Sequence, residues 1–353
     1  MTTDPDTTTL RARRVDLGAS EDEAEAMFER GWTDGLPVVP PTPERVARML
    51  TGTTRAPDEI VAVVPPNLVE CSVEKVAINA VLAGCRPEYL PVVLAAVEAA
   101  CTDTFNMHGL LATTWFSAPV VVVNGPITRA IGMNSGVNAL GQGNRANATV
   151  GRALQLVVRN VGGGRPGEVD RATLGQPGKY TFCFAEDEVG SPWEPLHVSR
   201  GCAPEESAVT LFPGESPRGL ADQLGRSADH LANSFAAALR TVWGPKAVIA
   251  FDALVVVSPE HARVFRESGW TRARLVEELD NRLQIPGAEL VRGAGGIAEG
   301  VDPSLRDTTI PKFPPGGLLV VHAGGGAGFF SAIVGGWAAG AMGSDPVTRV
   351  VGD

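Results

Sequence analysis

Three segments of the chain share one pattern: four aliphatic residues in a row, then a polar or glycine-rich turn. They are residues 120–126 (Val-Val-Val-Val-Asn-Gly-Pro), 254–262 (Leu-Val-Val-Val-Ser-Pro-Glu-His-Ala) and 318–326 (Leu-Leu-Val-Val-His-Ala-Gly-Gly-Gly). Uninterrupted aliphatic runs suit strands covered on both faces, as in parallel α/β sheets, where ligands sit beyond the strand carboxyl ends. Each run is expected to lead into a helix, which places Ser331 on the helix after the third. The first two runs each follow a tryptophan, Trp115 and Trp243, a hint of internal duplication.

Between these runs the apolar positions predict helices. Residues 73–83 and 87–101 are small and aliphatic on nearly every side and should be largely buried. Further helices are expected over 147–160, 217–242 and 271–283, and strands over 60–64, 180–185 and 208–212. Ser20 followed by Glu23 reads as a capping box. The segment 31–43 is rich in proline, which fixes φ and removes backbone donors, so it should run as an extended arm until Thr42 caps a helix with Pro43 at its first position. Glycine and proline over 293–317 indicate a long ordered loop or lid. The fold class is therefore α/β: mainly parallel sheet covered by helices on both faces, with an N-terminal Pro-rich arm. The expected division is an acidic, mobile segment 1–30, a first α/β lobe 31–165, a loop-rich connection 166–217 and a second α/β lobe 218–353.

The length of 353 residues is enough for about two domains. Forty acidic against thirty basic residues give a formal charge of −10, which argues against nucleic acid and anionic membranes as partners. No apolar run approaches 18 residues and the N-terminus has no apolar signal core, so a cytoplasmic, non-membrane chain is expected. Five cysteines, none in a CxxC pair, point to reduced thiols rather than a disulfide framework or zinc knuckle. Small residues on most helix faces suggest a homo-oligomer.

Three stretches could carry chemistry. The loop 134–149 is polar and glycine-rich and enters a helix, so its free N–H groups and the helix dipole favour a carboxylate or phosphate. Asn134, Ser135 and Asn138 lie within it, and Arg145 and Arg152 are the candidate forks for the same anion. The turn after residue 321 offers Gly324, Gly325 and Gly326 as a backbone nest, with Ser331 close behind. In 175–188, Lys179 and Cys183 would share one face of a strand, where an ammonium would activate the thiol, with Glu186 as an acid or base. Cys202 has a polar neighbourhood and is a second candidate thiol. Of the five histidines, His108, His261 and His322 are the candidates for acid/base work, the last two at strand ends. None forms a short metal-binding pattern, so whether a metal is bound stays open.

Several of these stretches resemble a known family. Residues 31–42 (Gly-Trp-Thr-Asp-Gly-Leu-Pro-Val-Val-Pro-Pro-Thr), 73–80 with 83–89, the 134–152 loop and 175–180 (Gly-Gln-Pro-Gly-Lys-Tyr) are similar to bacterial proteins found beside, or fused to, the UGSC (seleno)protein module. The likeness runs from about residue 31 through most of the chain. That module is similar to redox subunits of the glycine reductase type, in which selenocysteine or cysteine stands two residues before another cysteine. This chain has no such pair, so the resemblance implies a partner protein as the source of any redox residue. Two functions stand open on the sequence: an enzyme acting on a small carboxylate-bearing substrate by acid/base or thiol chemistry, and a subunit that completes the site of a UGSC-type thiol partner.

Overall fold

The computed structural model describes residues 10–352; the first nine residues of the expected mobile segment lie outside them. Helix α1 (Glu23–Glu29) is capped by Asp22, not Ser20: the Asp22 carboxylate accepts from the N–H groups of both Ala24 and Glu25, and its charge suits the helix N-terminus. Residues 31–42 contain no helix or strand and lead to α2 (Pro43–Leu50), where Thr42 caps and Pro43 stands first. A small hairpin follows, β1 (Ile60–Val64) with β2 (Val69–Ser72). Then come the two buried helices α3 (Val73–Ala83) and α4 (Leu90–Ala100), and the short α5 (Met107–Ala112).

The first aliphatic run is β3 (Ala118–Asn124), buried throughout, and Pro126 starts α6 (Pro126–Ala130). After the polar loop, α7 (Arg145–Asn160) is capped by the Asn144 side chain. Strand β4 (Cys183–Ala185) is shorter than expected because Pro177–Lys179 coils into a 3₁₀ turn. Next are α8 (Leu196–Ser199), β5 (Ala208–Gly214), β6 (Arg218–Ala221) and α9 (Ala228–Leu239). The single helix expected over 217–242 is thus a strand and a helix, split by a turn in which Asp222 accepts from the N–H groups of Leu224 and Gly225. The second aliphatic run is β7 (Phe251–Val257), followed by α10 (Pro259–Glu267) and α11 (Arg272–Arg282). A side structure of β8 (Gln284–Pro286), α12 (Gly287–Leu290) and β9 (Thr309–Pro311) precedes β10 (Leu318–His322), β11 (Phe330–Ala338) and β12 (Val347–Val350).

These strands form two four-stranded sheets of one topology, β12-β5-β3-β4 and β6-β11-β7-β10. In each, one pair is parallel (β3 with β4, β7 with β10) and the remaining neighbours are antiparallel. The α/β class is as expected, and the sheet is mixed. The parallel expectation stops at the third run because the residues after its turn alternate with period two: Ile333 points to the helix side and Ala332 and Val334 to the other sheet. Ser331 consequently stands on β11, not on a helix. The fourth strands are exchanged: β6 follows β5 in the chain but pairs with β11, while β12 follows β11 but pairs with β5. The ladders of the two sheets are joined at a single bridge, Gly214 to Gly336. A Cβ on Gly214 would fall 2.6 Å from Val334 and 2.7 Å from Val120, so only glycine lets the strands cross there. The two tryptophans before β3 and β7 stack on each other with ring centroids 3.7 Å apart.

The result is four layers. Helices α3, α4 and α7 cover the outer face of the first sheet, and α9, α10 and α11 that of the second. Between the sheets lie Val120, Val122, Phe184 and Phe212 against Leu254, Val256, Val321 and Val334. Residues 166–217 are therefore not a connection between lobes, since β4 and β5 belong to the first sheet, and the exchange of β6 and β12 leaves no boundary near residue 217. No helix among the described residues is long and apolar enough to cross a membrane.

Candidate functional site

The loop between α6 and α7 is held by its own asparagines. Asn134 Oδ1 accepts from Gly136 N–H at 3.0 Å and its amide donates to Val137 O at 2.9 Å. Asn147, one turn into α7, accepts from Asn134 N–H and donates to the Asn134 and Ala139 carbonyls. Asn138 donates to Gln142 O. The loop so fixed meets the glycine turn after β10: Gly324 N–H donates to Ser135 O at 2.8 Å, and a Cβ on Gly325 would strike Val137 at 2.9 Å. Gly324 has φ +122°, open to glycine alone at this close approach. Loop and turn together border an open cleft of about 390 Å³ over the carboxyl end of β7 and the start of β11, with Asn138, Ser258, Gly324, Gly325 and Ser331 in its wall.

Ser331 connects this wall to His261 in the first turn of α10. The Ser331 Oγ accepts from Ser258 N–H at 3.2 Å and lies 2.8 Å from His261 Nδ1. On the far side of the ring, His261 Nε2 faces the Asp222 carbonyl at 3.3 Å. A carbonyl only accepts, so Nε2 carries the proton, Nδ1 is bare, and the serine hydroxyl donates to it. The imidazole is fully buried, edge-on to Phe235 and beside Phe329. Burial pushes its pKa below the ordinary 6.5 against the opposing pull of Asp222, so the ring is neutral and basic at neutral pH. A hydroxyl, a neutral imidazole and an orienting acceptor in series are the parts of an activated nucleophile. Ser258 Oγ, buried in the same wall, has no hydrogen-bond partner among the described residues. Nor have the N–H groups of Gly325, Gly326, Ala327 and Gly328, which leaves four backbone donors on the turn.

The other sequence candidates are placed elsewhere. Arg145 donates to Gly84 O at 2.9 Å. Arg152 grips Asp34 with two bonds of 2.8 Å and also donates to the carbonyls of Leu36 and Pro37. Neither lines the cavity; both fasten neighbouring chain, a use that helix spacing alone does not reveal. Lys179 pairs with Asp170 at 3.0 Å in the 3₁₀ turn, so it does not share a strand face with Cys183. The Cys183 thiol is enclosed in the core and burial raises its pKa. Burial also raises Cys71, Cys85 and Cys101 to about 12, and it raises Cys202 with help from Glu206. His108 is exposed on α5.

Glu186 and His322 meet where the edge strands β4 and β10 end. The Glu186 carboxylate receives four donors: Asn124 Nδ2 and Leu196 N–H at 2.7 Å, Arg272 at 2.9 Å and His322 N–H at 3.4 Å. With its acceptor sites filled, it serves as a junction and not as a free base. His322 Nδ1 lies 2.9 Å from the Val257 carbonyl, so it carries the proton, and Nε2 is left 3.8 Å from the Asp187 carboxylate. Sequence reading missed Ser258, Asp222 and Arg272. Ser258 had a signal, as the polar residue between strand β7 and Pro259, whereas the other two act from segments remote in the chain. Among the described residues no group of three or more His, Cys, Asp or Glu side chains is arranged to hold a metal ion. Comparison with family models, with curated proteins and with solved structures finds no match.

Proposed function

We propose that the chain is an enzyme acting on a small carboxylate-bearing substrate by acid/base chemistry centred on Ser331 and His261. The observation that carries this reading is the 2.8 Å contact between the Ser331 hydroxyl and the bare Nδ1 of a buried, neutral imidazole, at the wall of the cleft that loop and turn border. As the Ser331 oxygen bonds to an electrophilic carbon of the substrate, its proton passes to His261 Nδ1. The Asp222 carbonyl, already bonded to Nε2–H, holds the imidazolium that results. Charge on the substrate is met by the N–H groups of residues 325–328 and by the Ser258 hydroxyl, donors that need no reorganisation when charge develops. The bond from that carbon to its leaving group breaks as His261 returns the proton to it, and water deprotonated by His261 then displaces Ser331 from the carbon and restores the hydroxyl. The thiol form of the chemistry is not part of this proposal, because all five thiols are pushed above their ordinary pKa.

The same set of raised thiols favours one second reading: a subunit that resembles the neighbours of the UGSC module and leaves redox chemistry to a partner's cysteine or selenocysteine. A single experiment separates the two. The purified chain is treated with a phosphonofluoridate, which reacts preferentially with activated serine hydroxyls, and the adduct is mapped by mass spectrometry. Modification of Ser331, absent in Ser331→Ala, supports the enzyme. No adduct, together with a stable complex on mixing with a UGSC-type protein, supports the subunit.

A further inference from the structure

A second cavity, of about 600 Å³, opens at the other end of α7 and at the start of β3, remote from the glycine turn. Its inner wall is apolar, from Met107, Leu110 and Leu111 of α5 and Val158 of α7, and its mouth carries the exposed Leu174 and half-exposed Tyr180. Two carboxylates line it, and both are already paired: Asp34 with Arg152 at 2.8 Å and Asp170 with Lys179 at 3.0 Å. Arg159 in the same wall is different. Its guanidinium has no hydrogen bond or ion pair among the described residues, and its Nε is buried. Burial and then the neighbouring Arg165, whose own buried Nε is also unpartnered, disfavour its charge against the pull of Asp34 and Glu168. Ser117 is 1% exposed, lines the cavity and has a hydroxyl with no partner. A buried donor left unmade costs about 1–3 kcal/mol, more when it is charged, so an anion at Arg159 would recover a cost the fold carries alone.

We propose that this cavity binds an amphipathic organic monocarboxylate, with its carboxylate on Arg159 and its hydrocarbon body against Met107, Leu110 and Leu111. The volume lies within the range of small-molecule sites. An arginine offers the paired donors that match a carboxylate. The site stands independently of the Ser331 chemistry, because it uses none of the same residues.

The test is titration calorimetry of the full chain with octanoate, with octanol and inorganic phosphate as the two halves of the ligand taken separately. The expected result is saturable binding of octanoate, at least tenfold weaker in Arg159→Gln and partly restored in Arg159→Lys, with octanol and phosphate each much weaker. The circular dichroism spectrum and the thermal midpoint should be unchanged in Arg159→Gln, which certifies that the variant is folded whether or not Ser331 is reactive. Absence of saturable octanoate binding, or binding that Arg159→Gln leaves intact, overturns the site. Phosphate binding as tightly as octanoate overturns the amphipathic assignment.

Discussion

Arg272 reaches Glu186 at 2.9 Å, a guanidinium from α11 against a carboxylate that has no exposed surface. The pair closes the seam between the two sheets, since Glu186 follows β4 of one and also takes the N–H of His322 at the end of β10 of the other. Burial raises the Glu186 pKa and the Arg272 charge opposes that rise, so the carboxylate depends on its partner. Arg272→Met, which strands the carboxylate, is expected to cost roughly 3–5 kcal/mol. The double variant Arg272→Met with Glu186→Gln should recover a good part of that loss. Urea denaturation of both checks this, and equal stabilities would refute the dependence.

Arg152 and Arg145 should separate cleanly from ligand binding. Arg152→Ala removes four hydrogen bonds that hold residues 34–37 to α7. It should lower stability by about 2 kcal/mol and leave Ser331 modification at the wild-type rate. Arg145→Ala loses one bond to Gly84 O and should change neither quantity measurably. Loss of Ser331 reactivity in either variant would return an arginine to the cavity.

Asp252 sets a pH dependence. Its carboxyl is buried in β7, one oxygen has no partner among the described residues, and burial, then Asp345, raises its pKa to about 7 against 3.8 for an unperturbed aspartate. Between those values the folded state holds a proton that the unfolded state has lost, so this group's contribution to stability falls as pH rises from about 4 to 7. Asp252→Asn abolishes the effect. Relative to wild type the variant should gain about 2 kcal/mol between pH 5 and pH 7, read from denaturation midpoints at the two pH values. A constant difference would refute the assignment.

Lys179 and Asp170 offer a contrast within the second cavity. Lys179→Met removes the ion pair of the Asp170 carboxylate in the cavity wall. Octanoate affinity should therefore fall, here by an added negative charge near the bound carboxylate and not by removal of its ligand. An unchanged affinity in calorimetry would place the bound carboxylate away from Asp170.

Much of this was written in the sequence as local signals. The aliphatic runs mark β3, β7 and β10, Thr42 and Pro43 mark the start of α2, and the repeated tryptophan marks the repeated topology. The polar loop and the glycine turn were legible as two separate features. Their meeting was not, because the bond from Gly324 to Ser135 joins residues almost two hundred positions apart. The exchange of β6 and β12 was equally hidden: nothing in a four-residue strand says which sheet it completes, and the crossing depends on the missing side chains of Gly214 and Gly336. The arginines misled for a related reason. Arg152 has the spacing of an anion ligand beside the loop, but its anion is Asp34, from the irregular segment 31–42.

The most direct test of the account is the pH dependence of Ser331 modification, measured in the wild type and in His261→Gln. Because burial holds the His261 pKa below 6.5, the ring should be a free base throughout the neutral range. The rate should fall toward acid with an inflection below 6.5, and drop at least a hundredfold in His261→Gln with the fold retained. A rate that falls with an inflection well above 6.5, or that survives the loss of His261, would contradict the account: Ser331 would then be an ordinary hydroxyl and His261 a packing residue of α10.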